Sequence, residues 1–314
     1  MTEAGGASAP RNRLAVAGAR ATTEAMLRNQ PRGDVIRNTV FAGLLLLAVV
    51  IALAGLLALI LQALTKGSSV ISPDLVNNPP STAFPDKAGY RPAIIGSLQL
   101  IAGVLLFIVP VGVGAALYLE EYADKSRWWN TVIEVNIQNL AAVPSIIYGI
   151  LGLAFIVRGP LDLGFILVAG SLTLALLVLP MVIIASREAL RAVPDSIRQG
   201  SLALGATEWQ TIRRQVLPAA IPGIATGIIL AVSRAIGETA PLLLVGATVF
   251  ITFDPTPFGS DGYSAMPVQI FNYALRPQEE FQALAAAGII VMLVVLLAMN
   301  SFAIWLRNRY EQRW

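Results

Sequence analysis

Long apolar runs dominate the pattern of hydrophobic and polar positions along this chain. A membrane-spanning helix needs about 20 mostly apolar residues, and six segments meet that requirement. They lie at residues 38–64, 92–119, 134–157, 164–186, 219–251 and 282–306. Charged residues, Pro or Gly bound five of these segments, whereas Arg234 and Glu238 interrupt the fifth. The pattern predicts an all-α integral membrane protein with about six transmembrane helices.

The polar segments between these runs predict the domain organisation. Residues 1–37 are polar and carry six arginines, and the apolar run that follows is longer than the apolar region of a secretory signal. We therefore interpret residues 1–37 as a leader that is partly disordered. The remaining parts are a first transmembrane helix at 38–64, a five-helix core at 92–306 and a tail at 307–314. The connections at 65–91 and 252–281 are rich in Pro, Gly and Ser and are predicted to be irregular surface segments.

The distribution of Lys and Arg predicts which way the spans face. Sixteen of these residues lie on the side that holds the leader, the 120–133 and 187–217 loops and the tail, against five on the opposite side. Cytoplasmic loops carry the excess of positive charge in membrane proteins. Both termini and the 187–217 loop are therefore predicted to be cytoplasmic.

Composition narrows the possible functions. Charged residues make up 13% of the chain, against about 25% in soluble domains, and the net charge of +3 gives little support to nucleic-acid binding. The chain has no Cys and no His, which removes thiol chemistry, thiolate metal sites and the commonest general base. An intramembrane enzyme or a metal site is therefore not expected.

The 187–217 loop has the pattern of two short helices joined by a turn. Asp195 follows Pro194 and can cap a helix that runs to about Leu204, and Gly205 is suited to end it. Thr207 and Gln210 form a capping box for a second helix. An apolar face is predicted from Leu202, Leu204, Trp209, Ile212 and Val216. Such a face must be buried against something, either the chain's own spans and lipid or a partner protein.

The fifth apolar run carries two charges. Arg234 lies roughly 20 Å into a hydrocarbon core about 30 Å thick, so it should face the protein interior or an aqueous path. Three interpretations remain open: an internal ion pair with Glu238, an anion path in which Glu238 holds the arginine or accepts a hydrogen bond from a protonated phosphate, or a proton relay. A guanidinium suits phosphate or sulfate oxygens in a bidentate way. Gly237 and Pro241 predict a helix kink here, and Pro144 predicts another in the third span.

Residues 199–218 resemble the EAA loop of the inner-membrane subunits of bacterial ABC importers. The residues that match are Gly205, Ala206, Trp209, Leu217 and Pro218, whereas the opening Glu-Ala-Ala is replaced by Gln199, Gly200 and Ser201. The resemblance implies the type I ABC importer permease fold, with this loop as a coupling helix in a cleft of the ATPase. The residues implied for ATPase coupling are Leu204, Gly205, Ala206, Thr207 and Trp209. ATP and Mg²⁺ would be bound by that ATPase, since this chain has no P-loop pattern.

Three further stretches resemble the PstA-type permeases of bacterial phosphate importers. They are PVGVGAALYLEEY at 110–122, NLAAVPSIIYGILGL at 139–153 and SRAIGETAPLL at 233–243. The resemblance implies a lipid-embedded subunit of the bacterial inner membrane that pairs with a second, homologous permease. It also implies two ABC ATPase subunits and an extracytoplasmic phosphate-binding protein as partners, with no cofactor in this chain.

The sequence leaves alternatives open for the transported anion and for the class of transporter. The anion could instead be sulfate or molybdate, and an ion-coupled secondary transporter is the alternative of a different class. Gly112 and Gly114 are expected to allow close helix packing. Glu120 and Glu121, at the cytoplasmic end of the second span, are expected to be solvated.

Overall fold

The computed structural model describes residues 32–124, 126–248, 250–259 and 262–310. The predicted leader lies outside the described residues up to residue 31, and its last part, residues 32–37, is helical. The described α-helices are α1 (Arg32–Gly67), α2 (Pro73–Asn77), α3 (Arg91–Leu117), α4 (Trp128–Ala141), α5 (Ser145–Leu151), α6 (Leu167–Arg191), α7 (Asp195–Ala203), α8 (Glu208–Thr211), α9 (Leu217–Gly237), α10 (Ala240–Leu244), α11 (Met266–Ala274) and α12 (Glu279–Tyr310). One isolated bridge, between Ala247 and Tyr263, is the β-structure among the described residues.

The chain divides into two units, residues 1–61 and residues 62–314. The described part of the first unit is the helix α1 up to Leu61, whose apolar side chains are exposed along its length. A helix that is apolar on all sides is typical of a membrane span. The second unit holds the remaining elements and the hydrophobic core.

Among the described residues, five helical segments are long and apolar enough to cross a membrane, and a bent pair gives a sixth when it is counted as one span. The five are Ile36–Val70, Arg91–Tyr122, Leu167–Arg191, Glu208–Gly237 and Glu279–Arg309. The bent pair joins Trp128–Ala141 to Ser145–Val157 at 109°. The prediction of an all-α membrane protein with about six transmembrane helices is confirmed.

The third predicted span, at 134–157, is not one straight helix. α4 ends at Ala141, and α5 begins one residue after Pro144, whose ψ of 139° is extended. Proline lacks an N–H and disfavours the helical conformation of the residue before it, here Val143. The chain therefore turns sharply inside this apolar segment.

The fifth predicted span, at 219–251, differs from the helix in the structure at both ends. Helical structure begins at Glu208 and passes through a π-helical turn, Ile212–Val216, directly into α9. The helix then ends at Gly237, because Glu238 is extended with ψ 120° and a new short helix starts at Ala240. The expected kink is thus a complete break, and residues beyond Leu244 form turns rather than membrane helix.

The core of the second unit is built around α6. The helices α3 and α9 pack along it, and buried aliphatic side chains fill the space between them. Small residues allow the backbones to approach closely, as is common where helices pack in membranes. A Cβ at Gly112 would lie 2.8 Å from Val182 Cγ1 and one at Gly223 would lie 2.6 Å from Ala189 Cβ, whereas one at Gly114 would meet no atom within 4 Å. The expected packing role therefore holds within this chain for Gly112, whereas Gly114 faces no helix of the described residues.

The two irregular connections pack together at the end of the bundle where α3 and α12 begin. Tyr90 donates a hydrogen bond to the Leu284 carbonyl at 3.0 Å, and Arg91 forms a bidentate ion pair with Asp254 at 2.7 Å. The Arg276 guanidinium lies between two aromatic rings, 4.7 Å from Phe250 and 4.5 Å from Phe281. These connections contain the short helices α2 and α11 and are otherwise irregular, as predicted.

Replacing Gly227 with Leu is expected to destabilise this core. A Cβ at Gly227 would overlap the Cβ of Ala185, where α9 crosses α6, and overpacking of this kind costs about 1–3 kcal/mol. The measurement is the thermal unfolding midpoint of the purified protein in detergent. The matched control is Gly114→Leu, which adds the same side chain in open space. Equal midpoints for the two variants would contradict this account of the α6–α9 contact.

Candidate functional site

The two broken spans meet inside the second unit. α5, which follows the break at Pro144, packs on α10, which follows the break at Glu238. The contact is close because Gly149 has no side chain: a Cβ there would lie 2.7 Å from Pro241 Cα. All three residues predicted as helix kinks, Pro144, Gly237 and Pro241, are therefore found at or beside these two breaks.

Arg234 lies one turn before the break that ends α9. Its Nε donates to Glu238 Oε1 at 3.3 Å, and the arginine side chain is 44% exposed whereas the glutamate is 16% exposed. Within the part of the chain that the structure describes, neither terminal nitrogen of Arg234 has a hydrogen-bond partner. The pair therefore leaves the outer face of the guanidinium open for another ligand.

Hydrogen bonds between α9 and α12 show how far Arg234 lies from the charged end of the helix bundle. Ser233, its neighbour, donates to Asn300 Oδ1 at 2.9 Å, and Arg307 at the end of α12 donates to Thr226 at 2.8 Å. Asn300 is seven residues, or roughly 10 Å of helix, before Arg307. Arg234 is therefore well inside the apolar part of the bundle and away from its charged rim, where an exposed charge requires water or protein around it.

The helix α4 carries polar side chains that the sequence analysis did not single out. Asn136, Gln138 and Asn139 are exposed on the surface of this chain, within a segment otherwise rich in apolar residues. Amide side chains are costly against lipid tails, so these positions are expected to lie against protein or water. The signal was present in the sequence as three amides within four residues of a membrane segment.

The 187–217 loop has the predicted two-helix structure. α7 ends at Ala203, and Gly205 follows in the left-handed region with φ 85°. The predicted capping box is confirmed, since Gln210 N–H donates to Thr207 Oγ1 at 3.2 Å and Thr207 N–H donates to Gln210 Oε1 at 3.0 Å. Asp195 is not the cap of α7, because Pro194 occupies that position and Asp195 is the first helical residue.

The predicted apolar face of the loop is divided between two environments. Ile212 and Val216 are buried beneath the loop, whereas Leu204 is 91% exposed and Trp209 is 54% exposed. A hydrogen bond of 2.8 Å between the hydroxyls of Ser201 and Thr211 holds α7 against the following turn. The loop is thus a rigid two-helix element that presents its turn, residues 204–209, to the surroundings.

Beneath the loop lies a partly buried ionic cluster, which we define as Glu120, Glu121, Glu134, Arg187, Arg191 and Arg198. Arg187 is 3.1 Å from Glu134 and 3.5 Å from Glu120, and Arg191 is 3.0 Å from Glu120. The side chains of Glu120 and Glu121 are only 6% and 10% exposed. The expectation that these two glutamates are solvated is wrong, because α6 and α7 bring three arginines over them.

Arg198 joins α7 to this cluster. Its Nη2 donates to Glu121 Oε1 and to the Leu190 carbonyl, both at 2.9 Å, and its Nη1 donates to the Val193 carbonyl at 2.6 Å. The hydrogen bond to Glu121 is the main cause that raises the pKa of Arg198, although burial opposes it. The arginine therefore stays charged at any physiological pH.

The described residues contain no group of three or more His, Cys, Asp or Glu side chains placed to hold a metal ion. The charged groups that remain available at membrane depth are Arg234 and Glu238.

Comparison with known proteins shows which family the chain belongs to. Residues 108–313 match the family described as "Binding-protein-dependent transport system inner membrane component". A relative named "Phosphate transport system permease protein PstA" from Yersinia pestis is 35% identical, over 85% of this chain and 88% of that protein. A protein of the same name from Haemophilus influenzae is 34% identical, over 84% and 92%. "Probable ABC transporter permease protein YqgI" of Bacillus subtilis is 29% identical, over 86% and 95%.

Solved structures with the same fold are more distant in sequence. A chain of the bacterial alginate ABC transporter, in complex with its pentasaccharide-bound periplasmic protein, aligns with a TM-score of 0.63 at 17% identity, over 89% of this chain and 97% of that one. A chain of the MetNI methionine ABC transporter aligns with a TM-score of 0.53 at 19% identity, over 71% and 97%. The fold is that of a type I ABC importer permease, and the chain belongs to the family of binding-protein-dependent transport system inner membrane components.

Proposed function

We propose that this chain is a membrane subunit of an ATP-driven importer of inorganic phosphate. Two relatives that share about a third of its residues over most of its length carry the name of a phosphate transport permease. The family depends on a binding protein by its own description. An ABC importer permease works with an ATPase and a substrate-binding protein, so the chain is a transporter component and not itself an enzyme.

The observation that carries the assignment to an anion is the half-exposed guanidinium of Arg234. It lies at membrane depth, beside the junction of two broken helices, with both terminal nitrogens available. Two parallel N–H groups of a guanidinium match two oxygens of phosphate. The Glu238 carboxylate holds the Nε side and thereby aims the free edge outward. A protonated phosphate oxygen could also donate a hydrogen bond to Glu238.

The rest of the proposed assembly follows from the exposed surfaces of a single chain. The guanidinium and the amides Asn136, Gln138 and Asn139 would face a path closed by a second, homologous permease, with a heterodimer expected. Two ABC ATPases, which bind ATP and Mg²⁺, would dock on the turn at Leu204, Gly205, Ala206, Thr207 and Trp209 of each coupling loop. The positive charge of the leader, loops and tail favours cytoplasmic termini in a bacterial inner membrane.

The substrate is tested with the whole complex in proteoliposomes. We expect ATP hydrolysis to rise when phosphate-loaded phosphate-binding protein is added outside, and to stay at its basal rate with sulfate- or molybdate-loaded binding proteins. Stimulation by one of those proteins alone would overturn phosphate as the substrate. Phosphate uptake that persists without any ATPase subunit would instead indicate a secondary transporter.

Arg234→Ala is expected to abolish phosphate uptake while the complex still assembles, because the exposed guanidinium contributes little to packing. Arg234→Lys keeps the charge but not the two-pronged donor geometry, so it should retain only a small part of the uptake. The measurements are uptake of radioactive phosphate and the subunit composition of the purified complex. Normal uptake by Arg234→Ala would remove this residue from the anion path.

Gly205→Leu is expected to weaken association with the ATPase. The left-handed φ of 85° costs about 1–2 kcal/mol for a residue with a Cβ, so the turn that carries Leu204 should shift. The matched control is Gly200→Leu in α7, which meets no atom within 4 Å and has no positive φ. The measurement is the amount of ATPase that co-purifies, and equal recovery with both variants would argue against the turn as the docking element.

A further inference from the structure

The helix α7 has an unusual attachment to the rest of the protein. None of its nine residues is fully buried, and its apolar contact with the core comes from Ile197, which is partly buried. A short helix of this kind is marginal on its own, because helices of fewer than about 12 residues depend on tertiary contacts. Its position therefore depends on the packing of Ile197 together with the polar contacts made by its half-buried side chains.

Arg198 makes most of those contacts. Two of its donors satisfy the carbonyls of Leu190 and Val193, just where α6 ends. The last carbonyls of a helix have no partner within the helix, and they carry its negative dipole end. A guanidinium in this position caps α6 from outside, so the place of α7 is tied to the end of α6.

The same guanidinium also reaches α3. Its Nη2 lies 2.9 Å from Glu121, in the π-helical turn Tyr118–Tyr122 that continues α3. Both side chains are largely shielded from water, with 20% of the arginine and 10% of the glutamate exposed. Removing one partner of such a pair is costly, because the other is left as a poorly solvated charge.

The neighbouring members of the ionic cluster extend this attachment. Glu120 pairs with Arg187 and Arg191 and so links α3 to α6, and Arg187 reaches Glu134 of α4. The cytoplasmic ends of three membrane helices are therefore held together by charge pairs. Arg198 is the member of the cluster that lies on α7.

We propose that Arg198 is a positioning residue that transmits displacement of α7 to the cytoplasmic ends of α3 and α6. The inference rests on the proposed function, since it takes α7 as part of the element that the ATPase moves. It differs from docking, because the exposed turn at Leu204 and Trp209 would contact the ATPase while Arg198 faces the membrane helices. Movement of the ATPase would then reach the path through one guanidinium bound to a carboxylate and two carbonyls.

The first test compares coupling with assembly in the reconstituted complex. Arg198→Ala should retain ATPase co-purification and basal ATP hydrolysis, whereas stimulation by loaded binding protein and phosphate uptake should fall about tenfold or more, within the usual range of coupling energies. Arg198→Lys should recover part of the uptake, because a lysine can reach only some of these acceptors. Glu121→Gln, which keeps the shape and an acceptor oxygen, should show a smaller loss.

The matched control is Asp195→Ala on the same helix. Asp195 contacts Arg198 at 3.3 Å, but its side chain is 85% exposed, so its removal should leave uptake and stimulation close to wild type. Unaltered uptake in Arg198→Ala would overturn the proposal. Loss of ATPase co-purification in Arg198→Ala, to the extent seen in Gly205→Leu, would also overturn it, because Arg198 would then act in docking.

A second measurement does not depend on which anion is carried. The chain has no Cys, so spin labels can be placed at Gln199→Cys in α7 and Tyr122→Cys at the end of α3, both exposed positions. Pulsed dipolar spectroscopy on the complex should give the same distance with and without ATP, since α7 and α3 move together. In the Arg198→Ala background the distance should change or broaden on ATP binding. A wild-type distance that shifts with ATP would refute the link even if phosphate proved to be the wrong substrate.

Discussion

A polypeptide that leaves helical geometry inside a bilayer must satisfy its freed backbone groups within the protein. This chain does so twice, at residues 142–144 and 238–239. At the first break the Leu140 carbonyl accepts both the Val143 N–H and the Tyr148 hydroxyl, the latter at 2.8 Å. At the second, the Glu238 N–H returns to the Ala235 carbonyl. The two breaks are then covered by the contact of Gly149 with Pro241.

The broken helices explain how a charged side chain can lie at membrane depth. α9 ends at Gly237, and Glu238, four residues after Arg234, lies within reach of its Nε at 3.3 Å. The ion pair neutralises the arginine from one side and leaves its other edge open. In a continuous helix the same two residues would lie on the helix surface, and no helix end would lie beside them.

Charge is concentrated in a second place, beneath the 187–217 loop. There three arginines and three glutamates join the ends of α3, α4 and α6 to α7. Lipid cannot supply hydrogen bonds, so these groups satisfy one another and the last carbonyls of α6. The two charged sites differ: the members of the cluster are paired with one another, whereas the terminal nitrogens of Arg234 have no hydrogen-bond partner among the described residues. Paired charges can hold helix ends together, whereas N–H donors without a partner can bind a ligand.

The sequence alone determined the features that depend on local chemistry. Run lengths determined the number of spans, because the bilayer sets the length of a helix, and the Thr207–Gln210 capping box and the stop at Gly205 follow from backbone hydrogen bonding within a few residues. Tertiary structure decided the rest. Pro144 and Pro241 predict that the helices are irregular at these positions, but whether a helix bends or ends there depends on what packs against it. Glu120 and Glu121 look like ordinary rim charges in sequence, and only the approach of α6 and α7 buries them under distant arginines, because partners so far apart along the chain leave no local pattern.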